Sequence, residues 1–467
     1  MRKQITLAVM LLLILSCTRE EDVITIVDET AEEVVDNEND TTEEESTEEE
    51  PPTDENGETP PEETPPPSDV QGVKASTFGY NETDATSAFV AALTSDNDTI
   101  VIDKQASDWI IKPTRITNIS NKFIFFEEGV VLKAKRGAFP NTNDALLQFI
   151  NGHNITIIGY GATFDMNKDE YTSGEWRHTL SLRGSTDITV KGLTLQDSGG
   201  DGIYVAGSSQ KSYSENIIVE DIQSINHRRQ GMSIISVQNM WVRNSLFTET
   251  KGALPEAGVD IEPNNPIDRV VNVNFSDCSF TNNHHSGILL ALFNLDDTSE
   301  PVSISFKDCF LSMNHDESNR YAASEIGISA HDTRPVKGTV TFDGIVIDGS
   351  EWGMLYSRKI KEAFHVTFKN SVARNISLAD THPPINLEVP SYDYASGPLG
   401  GFTFENLRLD YGAKEPFFQV RGHSTLLGVS EIHGDIIVNG SNAEPPNYTG
   451  YDPSKNKNVT FTYTINR

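Results

Sequence analysis

Two acidic side chains one residue apart have the clearest catalytic potential in this sequence. Asp260 and Glu262 lie in the segment Gly258-Val259-Asp260-Ile261-Glu262. Alternate residues of a β-strand point to the same face, which places these two α-carbons roughly 6.5 to 7 Å apart. Carboxyls at this spacing can flank a glycosidic bond, one as general acid and the other activating water, and the spacing favours the inverting over the retaining geometry.

The acidic segment belongs to a repeating series, which predicts how it is positioned. Similar segments recur at intervals of roughly 25 to 30 residues, within the range typical of stacked coils. The series comprises Gly202–Val205, Gly231–Ile234, Gly258–Ile261, Gly287–Leu290 and Gly327–Ala330. A second series interleaves with it and comprises Asn154–Ile157, Asp187–Val190, Asn216–Val219, Asn239–Val242 and Val271–Asn274. Each coil is therefore expected to add strands to parallel sheets.

Alignment of the repeats predicts which side chains point inward and which lie next to one another on the surface. Aliphatic residues such as Ile203, Val205, Val259 and Ile261 are expected to point inward and to stack as a core. The alternate positions form two outward columns. The predicted columns are Tyr204, Ser233, Asp260 and Leu289, and Ala206, Ile235, Glu262 and Ala291.

Polar residues lead into this face in consecutive coils and complete the predicted site. Beside the acids, Gln230 and His285 are predicted to orient water or substrate, and Arg229 to bind an anionic group and shift carboxyl pKa values. Trp176 is predicted to stack on a sugar ring. The remaining predicted substrate-binding residues are His178, Asp201 and His227. Glu256 has a simpler interpretation as a turn cap.

The repeats resemble the pectate-lyase-like right-handed parallel β-helix superfamily over nearly all of residues 73–467. The segments Thr77-Phe78-Gly79 and Phe126–Leu132 are similar to the opening of polygalacturonase-type proteins. Between them, Thr83–Leu93 has the apolar spacing of a short amphipathic helix that would cap the solenoid. The expected fold is therefore all-β, a right-handed parallel β-helix with a short N-terminal capping helix, in one domain.

The active-site motifs of the different enzyme classes indicate which of them this sequence resembles. The Asn-Thr-Asp and Gly-His-Gly motifs of polygalacturonase-like hydrolases are missing, as are the Asp-Pro-His-Asp motif of alginate epimerases and the Glu-x-Glu calcium site of β-helix lyases. The set Gln230, Asp260, Glu262 and His285 is similar to the arrangement in ι-carrageenases, with the two acids in reverse order. The resemblance implies an inverting hydrolase. The favoured assignment makes Glu262 the general acid, its pKa raised by Asp260, with Asp260 holding the water.

The N-terminus predicts export and lipid attachment. Arg2 and Lys3 precede an apolar run that is too short to span a bilayer, so residues 1–16 are predicted to be a signal peptide. The run ends in Leu-Ser-Cys, which resembles a bacterial lipobox with Cys17 as the acylated residue. The acidic residues after it resemble the surface-export signal of Bacteroidetes lipoproteins, which implies an outer-membrane lipoprotein exposed at the cell surface.

Residues 17–72 are predicted to be a disordered acidic linker, because their Glu and Pro runs cannot bury apolar surface. The linker carries much of the net charge of −33. No basic stripe follows it, so nucleic acid is not expected as a partner. A monomer is expected. Cys278 and Cys309 occupy matching repeat positions, which predicts a stacked pair of buried thiols.

The favoured function is a glycoside hydrolase that acts on an extracellular, anionic algal or pectic polysaccharide without a cofactor. One alternative is a polysaccharide lyase, which would use His285 or His227 as base, Arg229 as cation and optionally calcium. The other is a non-catalytic glycan-binding solenoid. An outward Asp is often simply solvated. The catalytic interpretation of the two acids therefore depends on the presence of Arg, Gln and His at the same edge.

Overall fold

The computed structural model describes residues 70–315, 324–379, 381–389 and 397–467. These residues belong to one compact unit, Ser68–Arg467. The predicted signal peptide, Cys17 and nearly all of the predicted linker lie outside the described residues. No helix in the part of the chain that the structure describes is long and apolar enough to cross a membrane.

Two sheets account for the strands of the described ranges, and every ladder between neighbouring strands in them is parallel. The short sheet carries the predicted site. Its twelve strands are Thr114–Thr117, Ala145–Ile150, His178–Arg183, Asp201–Ala206, Gln230–Ile234, Ala257–Ile261, Ser286–Leu292, Ile326–Ala330, Leu355–Ser357, Ile385–Glu388, Phe418–Arg421 and Asn447–Thr449.

The long sheet closes the other sides of each coil. Its 23 strands within the described ranges are Val73–Lys74, Thr99–Ile102, Trp109–Ile111, Ser120–Phe126, Val131–Ala134, His153–Asp165, Thr186–Gln196, Ser214–Glu220, Gln223–Ile225, Val237–Arg243, Leu246–Thr248, Val270–Ser276, Ser279–Thr281, Val302–Lys307, Phe310–Ser312, Gly338–Asp343, Val346–Asp348, His365–Lys369, Val372–Ile376, Leu399–Tyr411, Val429–Asn439, Lys457–Val459 and Thr462–Asn466. The predicted all-β solenoid is confirmed.

Asparagines at repeated positions explain why the coils stack in register. Asn154, Asn216, Asn239 and Asn272 have positive φ values between 52° and 59°, a left-handed conformation that Asn adopts more readily than most residues. Their side chains bond from coil to coil, with Asn239 Nδ2 3.0 Å from Asn216 Oδ1 and Asn272 Nδ2 2.9 Å from Asn239 Oδ1. These residues lead the interleaved repeats seen in the sequence.

The interior is a column of stacked apolar side chains. Every aliphatic residue predicted to point inward from the site strands, including Ile203, Val205, Val259 and Ile261, is fully buried. Phenylalanines from successive coils also stack. Phe306 lies 4.7 Å from Phe275 and 5.2 Å from Phe342, measured between ring centroids. Burial of these rings supplies much of the energy that holds the coils together.

The capping helix is shorter than predicted. It spans Thr86–Leu93 and not Thr83–Leu93, because the preceding backbone is held in turns. Asn81 Oδ1 accepts a hydrogen bond from Thr83 N at 2.9 Å, and Asp84 Oδ1 accepts one from Thr86 Oγ1 at 2.6 Å. Side-chain oxygens that bond nearby backbone groups compete with helix formation at these positions. The helix still buries one apolar face.

Three short 3₁₀ turns complete the described elements and occur at Ala75–Phe78, Lys168–Glu170 and Pro453–Lys455. The predicted thiol pair is confirmed: Cys278 and Cys309 are both buried and both free. Each thiol donates to a backbone carbonyl two residues earlier at 3.3 Å.

Candidate active site

The two predicted acids lie at the end of one strand, Ala257–Ile261, but they differ sharply in environment. The register confirms the outward column, with Tyr204 paired to Ser233, Ser233 to Asp260 and Asp260 to Leu289. Asp260 nevertheless has no exposed surface, because neighbouring side chains cover it. Glu262, just after the end of the strand, keeps 26% of its side chain exposed.

Asp260 is the acid whose proton affinity the site increases. Burial, reinforced by the charge of the neighbouring Glu262 carboxyl, raises the pKa of Asp260 well above its ordinary value. Gln230 Nε2 donates to Asp260 Oδ2 at 2.9 Å, and Gln230 Oε1 accepts from Ala257 N at 2.9 Å. The inner acid therefore holds a proton more tightly than an ordinary aspartic acid, its orientation is fixed, and Gln230 is confirmed as its neighbour.

Arg229 is surrounded by carboxylates. Its Nη2 donates to Glu262 Oε2 at 2.8 Å, while Nη1 lies 3.8 Å from Asp201 Oδ1 and Nε 3.8 Å from Glu175 Oε2. Burial acts to lower the pKa of the guanidinium, but Asp201 and Glu262 outweigh it and the pKa is raised. The side chain is only 9% exposed. The sequence assigned Arg229 to an anionic group of the substrate, whereas the structure engages it with the acids of the protein itself.

The geometry also changes the predicted roles of the two acids. A buried Asp260 cannot hold the attacking water, so that part of the prediction is wrong, and the raised pKa belongs to Asp260. Inverting enzymes place two substrate-facing carboxyls about 6.5–9.5 Å apart and retaining enzymes about 5–5.5 Å apart. Asp260 has no exposed surface, so Asp260 and Glu262 do not flank a sugar bond, and the buried acid acts through its neighbour Glu262.

Glu175 is the acid that the sequence argument missed. Its carboxylate and that of Glu262 bind different nitrogens of the Arg229 guanidinium, which keeps the two carboxylates within about 9 Å of each other. Its side chain is 22% exposed. The signal was present in the sequence, since Glu175 precedes Trp176 on the coil before Asp201, but alternation along a strand says nothing about a loop residue.

Gly200 brings this loop onto the face. A Cβ at Gly200 would come within 2.6 Å of the Glu175 carbonyl oxygen and 2.8 Å of the Trp176 α-carbon, so only glycine allows so close an approach. Trp176 is 39% exposed beside the acids. Its predicted stacking on a sugar ring remains a prediction.

His178 and Asp201 support the site from beneath and do not face a substrate. Both side chains are buried, and His178 Nδ1 lies 3.2 Å from Asp201 Oδ2. The His178 ring stacks on Tyr204 at a centroid distance of 4.4 Å. Burial lowers the pKa of His178, so the ring is neutral at pH 7. Direct substrate binding, predicted for both residues, is wrong because neither has surface to offer.

The two remaining histidines are not brought to the acids. His227 is fully buried in the turn beneath Gly202, its Nδ1 lies 2.8 Å from Ser198 Oγ, and burial lowers its pKa to about 3. Direct contact between His227 and a substrate is therefore also wrong.

His285 is nearly buried and in register with Glu256, as predicted, but its electrostatic neighbours are His315 and His284. These two neighbours line a separate groove of about 450 Å³ that does not include either acid. The predicted role of His285 beside the pair has no contact to support it among the described residues. Glu256 has its predicted structural role, accepting from Gly252 N at 2.6 Å.

Several buried polar atoms in the site have no hydrogen-bond partner among the described residues. They include Asp260 Oδ1, Ser233 Oγ, Arg229 Nε and His178 Nε2. Native interiors leave few such atoms, and their concentration at one face is typical of a functional site. Among the described residues, no three His, Cys, Asp or Glu side chains are grouped so as to hold a metal ion.

Comparison with known proteins places the fold. Residues 178–359 match the family model described as a right handed beta helix region. The uncharacterised protein YclG of Bacillus subtilis (strain 168) is 27% identical over 139 residues, which cover 26% of this chain and only 24% of that protein.

Solved structures extend the similarity over most of the chain. The catalytic unit of a GH87 α-1,3-glucanase from Streptomyces thermodiastaticus has a TM-score of 0.56 at 14% identity, covering 85% of this chain and 69% of that one. The A-module of the mannuronan C-5 epimerase AlgE6 from Azotobacter vinelandii has a TM-score of 0.55 at 13% identity, covering 84% and 99%. At such identities the likeness concerns the fold alone. The coil geometry and these matches together show that the chain has a right-handed parallel β-helix fold.

Proposed function

We propose that this protein is a glycoside hydrolase that cleaves an extracellular polysaccharide and uses Glu262 as the acid that protonates the glycosidic oxygen. One observation carries the proposal: a fully buried Asp260, whose pKa is raised by burial and by the Glu262 carboxyl, lies beside a Glu262 that reaches solvent. Carboxyl pairs that share one proton are a recurrent way of supplying an acid at neutral pH. The similarity in fold to an α-1,3-glucanase and a mannuronan epimerase supports a polysaccharide as the substrate class.

In the proposed reaction, each exposed acid has one task. Glu262, carrying the proton shared with Asp260, donates it to the glycosidic oxygen as the bond from that oxygen to the anomeric carbon breaks. Glu175 accepts a proton from the water that attacks the anomeric carbon, so one water is consumed and one new reducing end is formed. The separation of up to about 9 Å across Arg229 includes the spacing of inverting enzymes. Asp260, Gln230 and Arg229 position the acids.

Display at the cell surface is a further part of the proposal and depends on the sequence alone. The lipobox-like segment ending at Cys17 and the acidic residues after it support an outer-membrane lipoprotein held by an N-terminal lipid. The acidic linker would then act as a tether that holds the solenoid away from the membrane.

The lyase alternative receives no support from this geometry. It needs a base that faces the substrate, and its two candidates, His227 and His285, are buried with pKa values lowered to about 3 and about 4. In a lyase, removal of the proton next to a uronate carboxylate is accompanied by cleavage of the glycosidic C–O bond and departure of its oxygen, which leaves an unsaturated product. That product is therefore a direct way to distinguish the two reactions.

A product screen tests the proposal. The purified protein is incubated with a panel of plant and algal polysaccharides, and both new reducing ends and ultraviolet absorbance of unsaturated uronates are recorded. Reducing ends without absorbance are expected. Absorbance that accompanies chain cleavage would overturn hydrolysis in favour of a lyase, and retention of a glycan that is never cut would overturn it in favour of a binding solenoid.

A further inference from the structure

A line of polar side chains continues from the acids toward the N-terminal end of the short sheet. The strand register places Ser233 next to Asp260, followed by Tyr204, Ser181, Gln148 and Arg115 in one outward column. Five strand spacings of about 4.8 Å separate Asp260 from Arg115, roughly 24 Å in all. We call this column, together with Arg183 beside it, the polar ladder.

Neighbouring members of the polar ladder hold one another in place. Arg115 Nε donates to Gln148 Oε1 at 2.9 Å, and Gln148 Nε2 donates to Ser181 Oγ at 3.2 Å. Arg183 Nε donates to the same Ser181 oxygen at 3.3 Å, and the Arg183 guanidinium lies 4.8 Å from the centroid of the Tyr204 ring. These contacts leave the other guanidinium N–H groups of both arginines available.

The two arginines differ from Arg229 in their partners. Among the residues that the structure describes, neither Arg115 nor Arg183 forms an ion pair, whereas Arg229 contacts three carboxylates. Arg115 is exposed and Arg183 is half-buried. A guanidinium that is stacked on an aromatic ring and has free N–H donors is well suited to a carboxylate or a sulfate.

A cavity of about 320 Å³ adjoins the far end of the ladder. Arg115 and Gln148 line it, together with Asn143 and Asp144. Asp144 is the one acid in this lining, and its carboxylate accepts a hydrogen bond from Asn141 N at 2.9 Å. The cavity provides space for a sugar residue or a bulky substituent next to Arg115.

The strands on the C-terminal side of the acids carry different side chains in these columns. The two strands after Asp260 place Leu289 and Gly327 in the same column, and Ala291 and Ser329 in the column of Glu262. None of these side chains is charged. Arg358, just after the next strand, is the first cation in these columns on this side, three strand spacings from Glu262. The N-terminal side therefore differs by its hydrogen-bonded ladder and its cavity.

We propose that the polar ladder binds an anionic polysaccharide that extends from Glu262 toward the N-terminal end, with its carboxylate or sulfate groups on Arg183 and Arg115. The proposal rests on the proposed function for the position of the cleaved bond, and it adds the substrate class and the direction of the bound chain. Arg183 is about three strand spacings from the acids, so short oligosaccharides reach it before they reach Arg115.

Affinities for oligosaccharides of graded length test the ladder. The panel contains oligouronates, sulfated oligogalactans and neutral oligoglucans, measured by calorimetry with Arg115→Gln, Arg183→Gln and wild-type protein. Arg183→Gln is expected to weaken binding of anionic oligomers about tenfold or more at every length, and Arg115→Gln only of the longer ones. Salt should weaken the wild-type affinity. The uronate and sulfate arms identify which anion is bound.

Arg243→Gln is the matched control, because Arg243 is exposed at the end of a strand in the long sheet. Equal affinity for neutral and anionic oligomers, or equal losses in all three variants, would overturn the ladder. The outcome is separable from that of the proposed function. Anionic binding without cleavage would support the ladder and refute the hydrolase, while cleavage of neutral glycans only would do the reverse.

Discussion

Arg229 Nη2 lies 2.8 Å from Glu262 Oε2, although 33 residues separate the two in the chain. The contact joins adjacent coils and fixes the exposed acid above the buried Asp260. It also explains why Arg229 can be almost fully buried while charged, since three carboxylates surround it.

Replacing this cation should destabilise the protein. Arg229→Met leaves Glu262, Asp201 and Glu175 without their shared partner, and we expect a loss of about 3–5 kcal/mol in the free energy of unfolding at pH 7. Urea denaturation at pH 7 measures the loss.

Arg136→Met is the control for that experiment. Arg136 also contacts two acids, Asp169 and Glu170, each at 3.1 Å, but its side chain is 63% exposed. An exposed ion pair contributes little. Equal destabilisation by the two substitutions would contradict the buried carboxylate cluster around Arg229.

The shared proton should control the alkaline side of the activity profile. In the wild-type protein, losing that proton puts two negative charges side by side, which keeps the raised pKa of Asp260 high. In Asp260→Asn, no such like-charge pair can form. We therefore expect the alkaline limb of the kcat/KM profile to move to lower pH. An unmoved limb in a folded variant would show that the pair does not hold the catalytic proton.

The fold could be predicted from the sequence because its signals are local and repeated. Asn154, Asn216 and Asn239 mark a turn that each coil repeats, and the inward aliphatics follow the period of two that any strand imposes. Stacking then follows from the repeat itself. The register of Ser233, Asp260 and Leu289 was correct for the same reason.

The environment of the site could not be predicted in the same way. Alternation along the strand predicts that the Asp260 side chain points outward, but it does not predict what covers that side chain. In this structure, long side chains from adjacent coils cover it. Arg229 is bound to residues 33 positions ahead and 28 and 54 positions behind, which no local pattern encodes. His178 and His227 lie at corners of the coil. There a side chain can turn inward whether or not the alternation along a strand would place it inside.

A buried acid outside the site gives an independent test of the electrostatics. Glu325 is fully buried, accepts hydrogen bonds from Asn314 N at 3.0 Å and Asn314 Nδ2 at 2.6 Å, and has its pKa raised by burial to about 8. A folded-state pKa above the unfolded value means that the folded protein binds the proton more tightly. Its contribution to stability is therefore present below the unfolded value of 4.5 and is lost as pH rises toward 8.

Glu325→Gln removes this titration. Whatever fixed cost the substitution has, the free energy of unfolding of the wild type minus that of the variant should fall by a few kcal/mol between pH 5 and pH 8. Glu388→Gln, at a partly exposed glutamate of the short sheet, provides the control. A difference that is constant with pH, or that rises, would contradict a protonated Glu325.

Glu262 is the central residue of the proposed function, because it is the acid that contacts the substrate. On whichever polysaccharide the product screen identifies, Glu262→Gln should lower kcat/KM by about 10²- to 10⁴-fold. Glu215→Gln is a closely matched control, since Glu215 is 28% exposed and 2.9 Å from a cation, Lys211, while Glu262 is 26% exposed and 2.8 Å from Arg229. With both variants folded, a large loss in the first and none in the second is the predicted result, and wild-type activity in Glu262→Gln would contradict the proposed site.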